Sequence, residues 1–264
     1  MALVAALIPS ARAEALPVFA HRFGVSCQQC HTTVPRLNAF GQAFRAGGFR
    51  WPANQSGAFP VAVKVNLAYS SAPDASGLPK AVVDEVELLT AGRVGASGSY
   101  FVEQYALDGG RPGRTRDAWL QEDAREFHLR AGQFTLPLPV DPETQRDTQA
   151  HYAIYDQTVG PNSFDFFEPR LGLDAFATLA RSKIEAHLVL SGSDAMAYVA
   201  KTAGTVTLSA YRYGGTRRPG AYVDRFWRQG YGATYAGDRW TLTGVVQNGN
   251  DANTAGTHDA RSSG

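Results

Sequence analysis

The sequence predicts a mainly β protein, an antiparallel β-barrel of the outer-membrane kind preceded by a short helical segment, and three observations predict it. First, from about residue 60 the apolar residues recur with period two, in runs of about ten residues. Val61, Val63, Val65, Leu67 and Tyr69 alternate with Ala62, Lys64, Asn66 and Ala68. The same pattern sets Phe127, Leu129 and Ala131 against His128, Arg130 and Gly132, and Ile184, Ala186, Leu188 and Leu190 against Lys183, Glu185, His187 and Val189. It recurs where Trp240, Leu242 and Val246 alternate with Arg239, Thr241, Thr243 and Gln247. Second, the polar faces carry whole charges, which suits a wet lumen better than a dry sandwich core. Third, aromatic residues sit near segment ends (Tyr69, Tyr100, Phe134, Tyr211, Tyr213, Tyr231, Tyr235, Trp240), where interfacial girdles lie. A soluble β-sandwich also alternates and stays open as the other reading of the pattern.

Further strands are expected near 83–93, 98–107, 115–123, 170–180, 204–213 and 229–236, punctuated by turns such as Asp108-Gly109-Gly110, Gly192-Ser193-Asp194 and Gly214-Gly215. Between about 135 and 168 the alternation lapses. Leu136-Pro137-Leu138-Pro139-Val140-Asp141-Pro142 cannot be a central strand, because proline donates no ladder hydrogen bond. A long loop follows, anchored by Tyr152, Tyr155, Phe164, Phe166 and Phe167, which folds into the barrel or covers its mouth. Its carboxylates Asp141, Glu143, Asp147 and Asp156 suit a hard cation, but an ordinary solvated loop is the preferred reading of the same residues.

The formal net charge of +1 gives no bulk field to attract nucleic acid. Residues 2–8, Ala-Leu-Val-Ala-Ala-Leu-Ile, form a short apolar run ahead of Ala11-Arg12-Ala13, an A-x-A-like cleavage site, so 1–13 reads as a signal peptide and Glu14 as the mature start. No basic residues precede the run, so the signal is expected to be incomplete; a buried apolar terminus is the competing reading. The run is too short to span a bilayer as a helix. The chain is therefore expected to be exported.

The chemistry concentrates in Cys27-Gln28-Gln29-Cys30-His31. Two thiols three positions apart can each add to a vinyl group of one porphyrin, and the adjacent imidazole reaches the iron. These are the 2 cysteines of the chain, so none is left for another role. A zinc site needs four ligands, usually from a second Cys/His pair, and the sequence offers none. A thioredoxin-like redox pair belongs beside a βαβ pattern, which is missing. A plain disulfide needs no histidine beside it and closes too short a loop to gain much chain entropy. After the motif, Val34, Leu37, Phe40 and Phe44 recur at helical spacing, with Thr33 as a cap, Pro35 in the first turn and Gly47-Gly48 at the end. That helix covers a haem face or packs on a surrounding wall. The organisation is thus 1–13 signal peptide, 14–55 haem segment and 60–264 barrel.

The run Pro17 to His31, with Pro35-Arg36-Leu37-Asn38-Ala39-Phe40-Gly41 and the stretch from Gly132-Gln133-Phe134 to Pro139, resembles the fused monohaem cytochrome c–porins of the outer membrane, best known among iron(II) oxidisers. The specific part of the resemblance covers roughly residues 17–50. It implies one covalent haem c attached through Cys27 and Cys30, with His31 as the proximal iron ligand, and a porin of about sixteen strands. It implies electron transfer from an extracellular donor such as Fe(II) to a periplasmic electron-carrier cytochrome, in a protein bathed by outer-membrane lipid. The alternation supplies only about ten or eleven strands, and the chain end lacks a terminal aromatic; the barrel is expected to be truncated, with C-terminal strands missing, a barrel smaller than the family's being the other reading. The distal ligand stays open among Met196, His21, His128 and His187, with His151 in the loop and a five-coordinate haem as further options. Two other functions stay open: a haem-bearing porin with a non-iron donor or a sensing or structural role, and a soluble periplasmic haem protein.

Overall fold

The structure is a computed structural model, and it describes residues 17–34, 36–50, 61–73, 79–141, 156–159, 162–217, 224–237, 241–253 and 256–263. The expected signal peptide, Pro35, Glu143, Asp147, His151, Tyr152, Tyr155 and Trp240 lie outside the described residues. Two short helices, α1 (Pro17–Phe23) and α2 (Ala39–Ala46), flank a 3-10 turn at Cys27–Gln29 and a small hairpin of β1 (His31–Thr33) and β2 (Arg36–Leu37). The helix thus begins five residues later than the sequence pattern expects. Asn38, not Thr33, is the N-cap: its side chain accepts from the Gly41 backbone N–H at 2.9 Å. The residues before it pair across the hairpin, which leaves Val34 and Leu37 outside the helix. The expected end holds, with Gly47 at the C-cap.

The rest is β. The strands run β3 (Val61–Pro73), β4 (Pro79–Val94), β5 (Gly98–Asp108), β6 (Arg111–Pro112), β7 (Thr115–Ala124) and β8 (Phe127–Phe134). A separate hairpin, β9 (Asp156–Val159) and β10 (Asn162–Asp165), precedes β11 (Arg170–Leu179) and β12 (Ile184–Ser191). They continue as β13 (Asp194–Ala203), β14 (Val206–Arg217), β15 (Asp224–Ala236), β16 (Thr241–Asn253) and β17 (Gly256–Ser263). Among the described residues 13 strands form one antiparallel sheet, a meander from β3 to β17 in which β6 pairs only with β5. The mainly β class is as expected. β13 escaped the sequence reading because its outward positions, Ala195 and Ala197 among them, carry short side chains that blur the alternation.

The two faces of this sheet are the reverse of a water-soluble one. Val63, Leu67 (77% exposed), Leu129, Leu171, Leu188 (53%), Leu208 and Leu242 all point outward and stay uncovered. The opposite face buries Glu87, Asp117 (0%), Gln121, Asp123, His128, Asp174 and Arg228 (1%). A ten-residue strand such as β7 is about 33 Å long at the usual rise, and tilted it covers the apolar band of a bilayer. Among the described residues no helix is long and apolar enough to cross a membrane, a statement about helices and not about strands.

Three of the expected girdle aromatics turn inward instead. Phe134, Tyr211 and Tyr213 are buried, because the Tyr211 hydroxyl finds Gln247, the Tyr213 hydroxyl finds Asp194, and both rings meet the edge of Phe166. Tyr69, Tyr231 and Tyr235 do face outward. The described ends of the expected loop fold inward too: Leu136, Leu138 and Phe166 join the same buried cluster, and Pro139 lies against Gly232 on β15.

Candidate functional site

The candidate site is built from the turn upward. Cys27 opens the 3-10 turn and Cys30 closes it, with the Cys30 N–H donating to the Cys27 carbonyl at 3.1 Å. Both thiols are free and half-buried. Burial pushes the Cys30 thiol up from its ordinary pKa, with the neighbouring Cys27 adding to the shift. His31 follows at once as the first residue of β1, paired in register with Leu37. Three residues that the sequence placed together by spacing are thus together in space.

A wall of phenylalanines stands beside them. Phe19 stacks on Phe23 at 6.1 Å and meets Phe44 edge-on at 5.2 Å, and Phe40 stacks on Phe44 at 6.2 Å. Cys30 packs against this cluster together with Phe19 and Phe23. Val34 and Phe40 remain exposed apolar groups close to the thiols in sequence. Two thiols, an adjacent imidazole and an apolar wall form the donor set and setting that a covalent haem requires.

The segment does not hang free of the sheet. After α2, Gly47-Gly48 turn the chain so that Phe49 points into the inner wall. Gly48 has φ +70°, and a Cβ there would press on Ser99 and Asp123 side-chain atoms. Phe49 itself sits in the left-handed region at φ 58°, strain that a bulky residue holds only when packing fixes it. Its ring stacks on Phe101 at 5.6 Å and on Trp119 at 5.9 Å. Around it, Arg45 pairs with Asp117 at 3.6 Å and Asp141 at 3.5 Å, and Arg50 pairs with Asp123 at 2.8 Å. The Gln121 amide donates to the Ala46 carbonyl at 2.9 Å. Asp141, read from sequence as a loop carboxylate, is therefore committed to Arg45. The segment that carries the Cys-x-x-Cys-His motif is docked on the polar inner face by one aromatic knob and two arginines.

Phe49→Ala removes that knob. Truncating a buried phenylalanine costs about 3–5 kcal/mol, so the segment is expected to become protease-sensitive while the strand signal in circular dichroism stays intact. Unchanged protease resistance of residues 17–50 would mean that the contacts do not hold it.

The distal-ligand candidates are scattered. His21 lies on α1. Met196 is buried on the inner face of β13, in register with Val189 and Tyr213. His128 on β8 has Nδ1 on Asp123 at 2.5 Å and Nε2 on Thr178 at 3.0 Å. His187 on β12 has Nδ1 on Asp174 and Nε2 on Glu185, both at 3.0 Å. Phe176 is sandwiched between these two imidazoles, with ring centroids 4.6 and 4.7 Å away. Both nitrogens of each ring are thus engaged with neighbours on the strands. Among the described residues no group of three or more His, Cys, Asp or Glu is placed to hold a metal ion by side chains alone.

Sequence reasoning missed Asn38, Gly41, Arg45 and Phe49 as parts of the site. The signal for Asn38 was available, since an asparagine ahead of a helical run is a standard cap. The partners of Arg45 and Phe49 lie on strands far along the chain and leave no local trace.

The class these features define is an antiparallel meander sheet with lipid-type side chains outside, polar ones inside, and a thiol-bearing N-terminal segment docked within. No family model matches the chain, and no curated protein does. Among solved structures the chain is similar to OmpT, an outer membrane protein of Vibrio cholerae, in a loop L8 deletion mutant. That likeness has a TM-score of 0.38 and 11% identity over 76% of this chain and 86% of that one. The in-vitro folded trimer form of OmpT gives 0.38 and 11% over 76% and 81%. At that level the fold assignment rests on the strand pairing and the two sheet faces, not on the likeness.

Proposed function

We propose that the chain is an outer-membrane β-barrel that carries one haem c on Cys27, Cys30 and His31 and passes electrons between an extracellular donor, Fe(II) in the first instance, and a periplasmic electron-carrier cytochrome. The observation that carries the reading is the docking of the Cys-x-x-Cys-His segment on the inner face of an inside-out sheet. When bound, the haem supplies reversible one-electron transfer at a potential set by its surroundings. The chain's own residues do the rest. Cys27 and Cys30 anchor the group, His31 supplies an imidazole, and Phe19, Phe23, Phe40 and Phe44 exclude water from one side. The hydrocarbon layer is about 30 Å thick, so a single carrier serves both sides only from the lumenal side of the sheet, and the contacts of Arg45, Phe49 and Arg50 with the inner face support that position.

Membrane residence is supported by the outward leucines and valines. An apolar surface that recurs on most strands of the sheet marks a membrane contact, and the charges buried on the opposite face suit a lumen. This pattern weighs against a soluble periplasmic protein.

Stopped-flow mixing of oxidised protein with anaerobic Fe(II) tests the donor. Rapid reduction of the haem is expected. If dithionite reduces the haem fully and Fe(II) does not, the iron donor is excluded and a haem-bearing porin with another donor takes its place.

A further inference from the structure

We infer that Asn38 is the positioning residue of the haem-attachment turn, holding Cys27 to Cys30 in the shape that presents both thiols to one group; this rests on the proposed haem reading. Its backbone N–H donates to the Cys30 carbonyl at 2.8 Å. Its side-chain amide Nδ2 donates to the carbonyls of Gln28 at 3.2 Å and Gln29 at 3.1 Å. The two linking residues of the motif and its second cysteine are thus all bound to one asparagine. The remaining atom, Oδ1, accepts from Gly41 and caps α2.

The arrangement ties the turn to the wall of the sheet. α2 starts on Asn38 and ends where Arg45 and Phe49 are anchored, so the turn is fixed at one end of a helix whose other end is docked. Gly41 makes the close approach possible: a methyl group there would collide with the Cys30 carbonyl oxygen and with Leu37. A chemical argument selects asparagine for the post. Serine, threonine and aspartate cap a helix as well, but only an amide offers an acceptor for Gly41 and N–H donors for two loop carbonyls at once.

The test separates the two jobs of this side chain. Asn38→Ser keeps a cap and loses both donors, whereas Asn38→Ala loses both functions. Full-length chains are matured with a c-type system, and the covalent haem fraction, the absorption spectrum and the midpoint potential are measured. The same chains without haem are titrated with phenylarsine oxide, a reagent that bridges two close thiols. Asn38→Ser is expected to weaken the arsenical bridge about tenfold, the worth of two neutral hydrogen bonds, and to lower the haem fraction and shift the potential with α2 intact. A pure capping role predicts instead that Asn38→Ser matches the parent and only Asn38→Ala falls, which would overturn the inference. If the parent takes up no haem, the haem reading fails, and the arsenical titration still decides whether Asn38 shapes the turn.

Discussion

After c-type maturation the parent chain is expected to carry a haem stain through denaturing electrophoresis, and replacing Cys27 and Cys30 together with alanine is expected to abolish it. The effect is all or none because thioether bonds survive denaturation, whereas a haem held only by axial ligation is lost with the fold. The thiols lie at the two ends of one 3-10 turn, both free, and the chain has no others to substitute for them. Each single replacement leaves one thioether and is expected to give a weaker stain with a shifted spectrum. Strand content is not expected to change, since the turn packs on α1 and α2 and not in the sheet ladder. A stain that persists in the double variant would refute covalent attachment at this motif.

Leu188→Arg carries the second large effect, and it tests the membrane. Leu188 lies mid-strand on β12, opposite Ala175 on β11 and Ala197 on β13, and it points away from the inner face. In water an exposed leucine is nearly free to change, within about 0.5 kcal/mol. Facing lipid near the midplane, arginine costs about 2–4 kcal/mol, because a guanidinium must shed water or distort the bilayer. Denaturant titration of parent and variant refolded into phospholipid vesicles measures the difference. Equal midpoints would place this surface in water and return the fold to a soluble β protein.

The two predictions draw on different layers of information. The motif is local: its spacing alone points to a group shared by both thiols, and the structure keeps Cys27, Cys30 and His31 side by side at one turn. Period-two alternation is also local, and it showed that His128, Arg130, Glu185 and His187 share faces apart from Leu129 and Leu188. Polar residues at the inner face follow directly, since whole charges need partners such as Asp123 or Asp174. Where outward residues are alanines, as in β13, the same signal vanishes and the strand goes unread.

Other features were decided only in three dimensions. The start of α2 moved to Asn38 because that side chain found a partner at Gly41 while the residues before it found partners across a hairpin. Tyr211 and Tyr213 went inward because Gln247, Asp194 and Phe166 were there to receive them. By itself, then, the sequence determined the β class, the composition of the two faces and the adjacency of Cys27, Cys30 and His31, all of which depend on near neighbours along the chain. Only the tertiary structure decided that the motif segment sits against the inner wall. That placement depends on Arg45, Phe49 and Arg50 meeting Asp117, Trp119 and Asp123, about seventy residues away, and loop closure over such a distance leaves no periodicity to read.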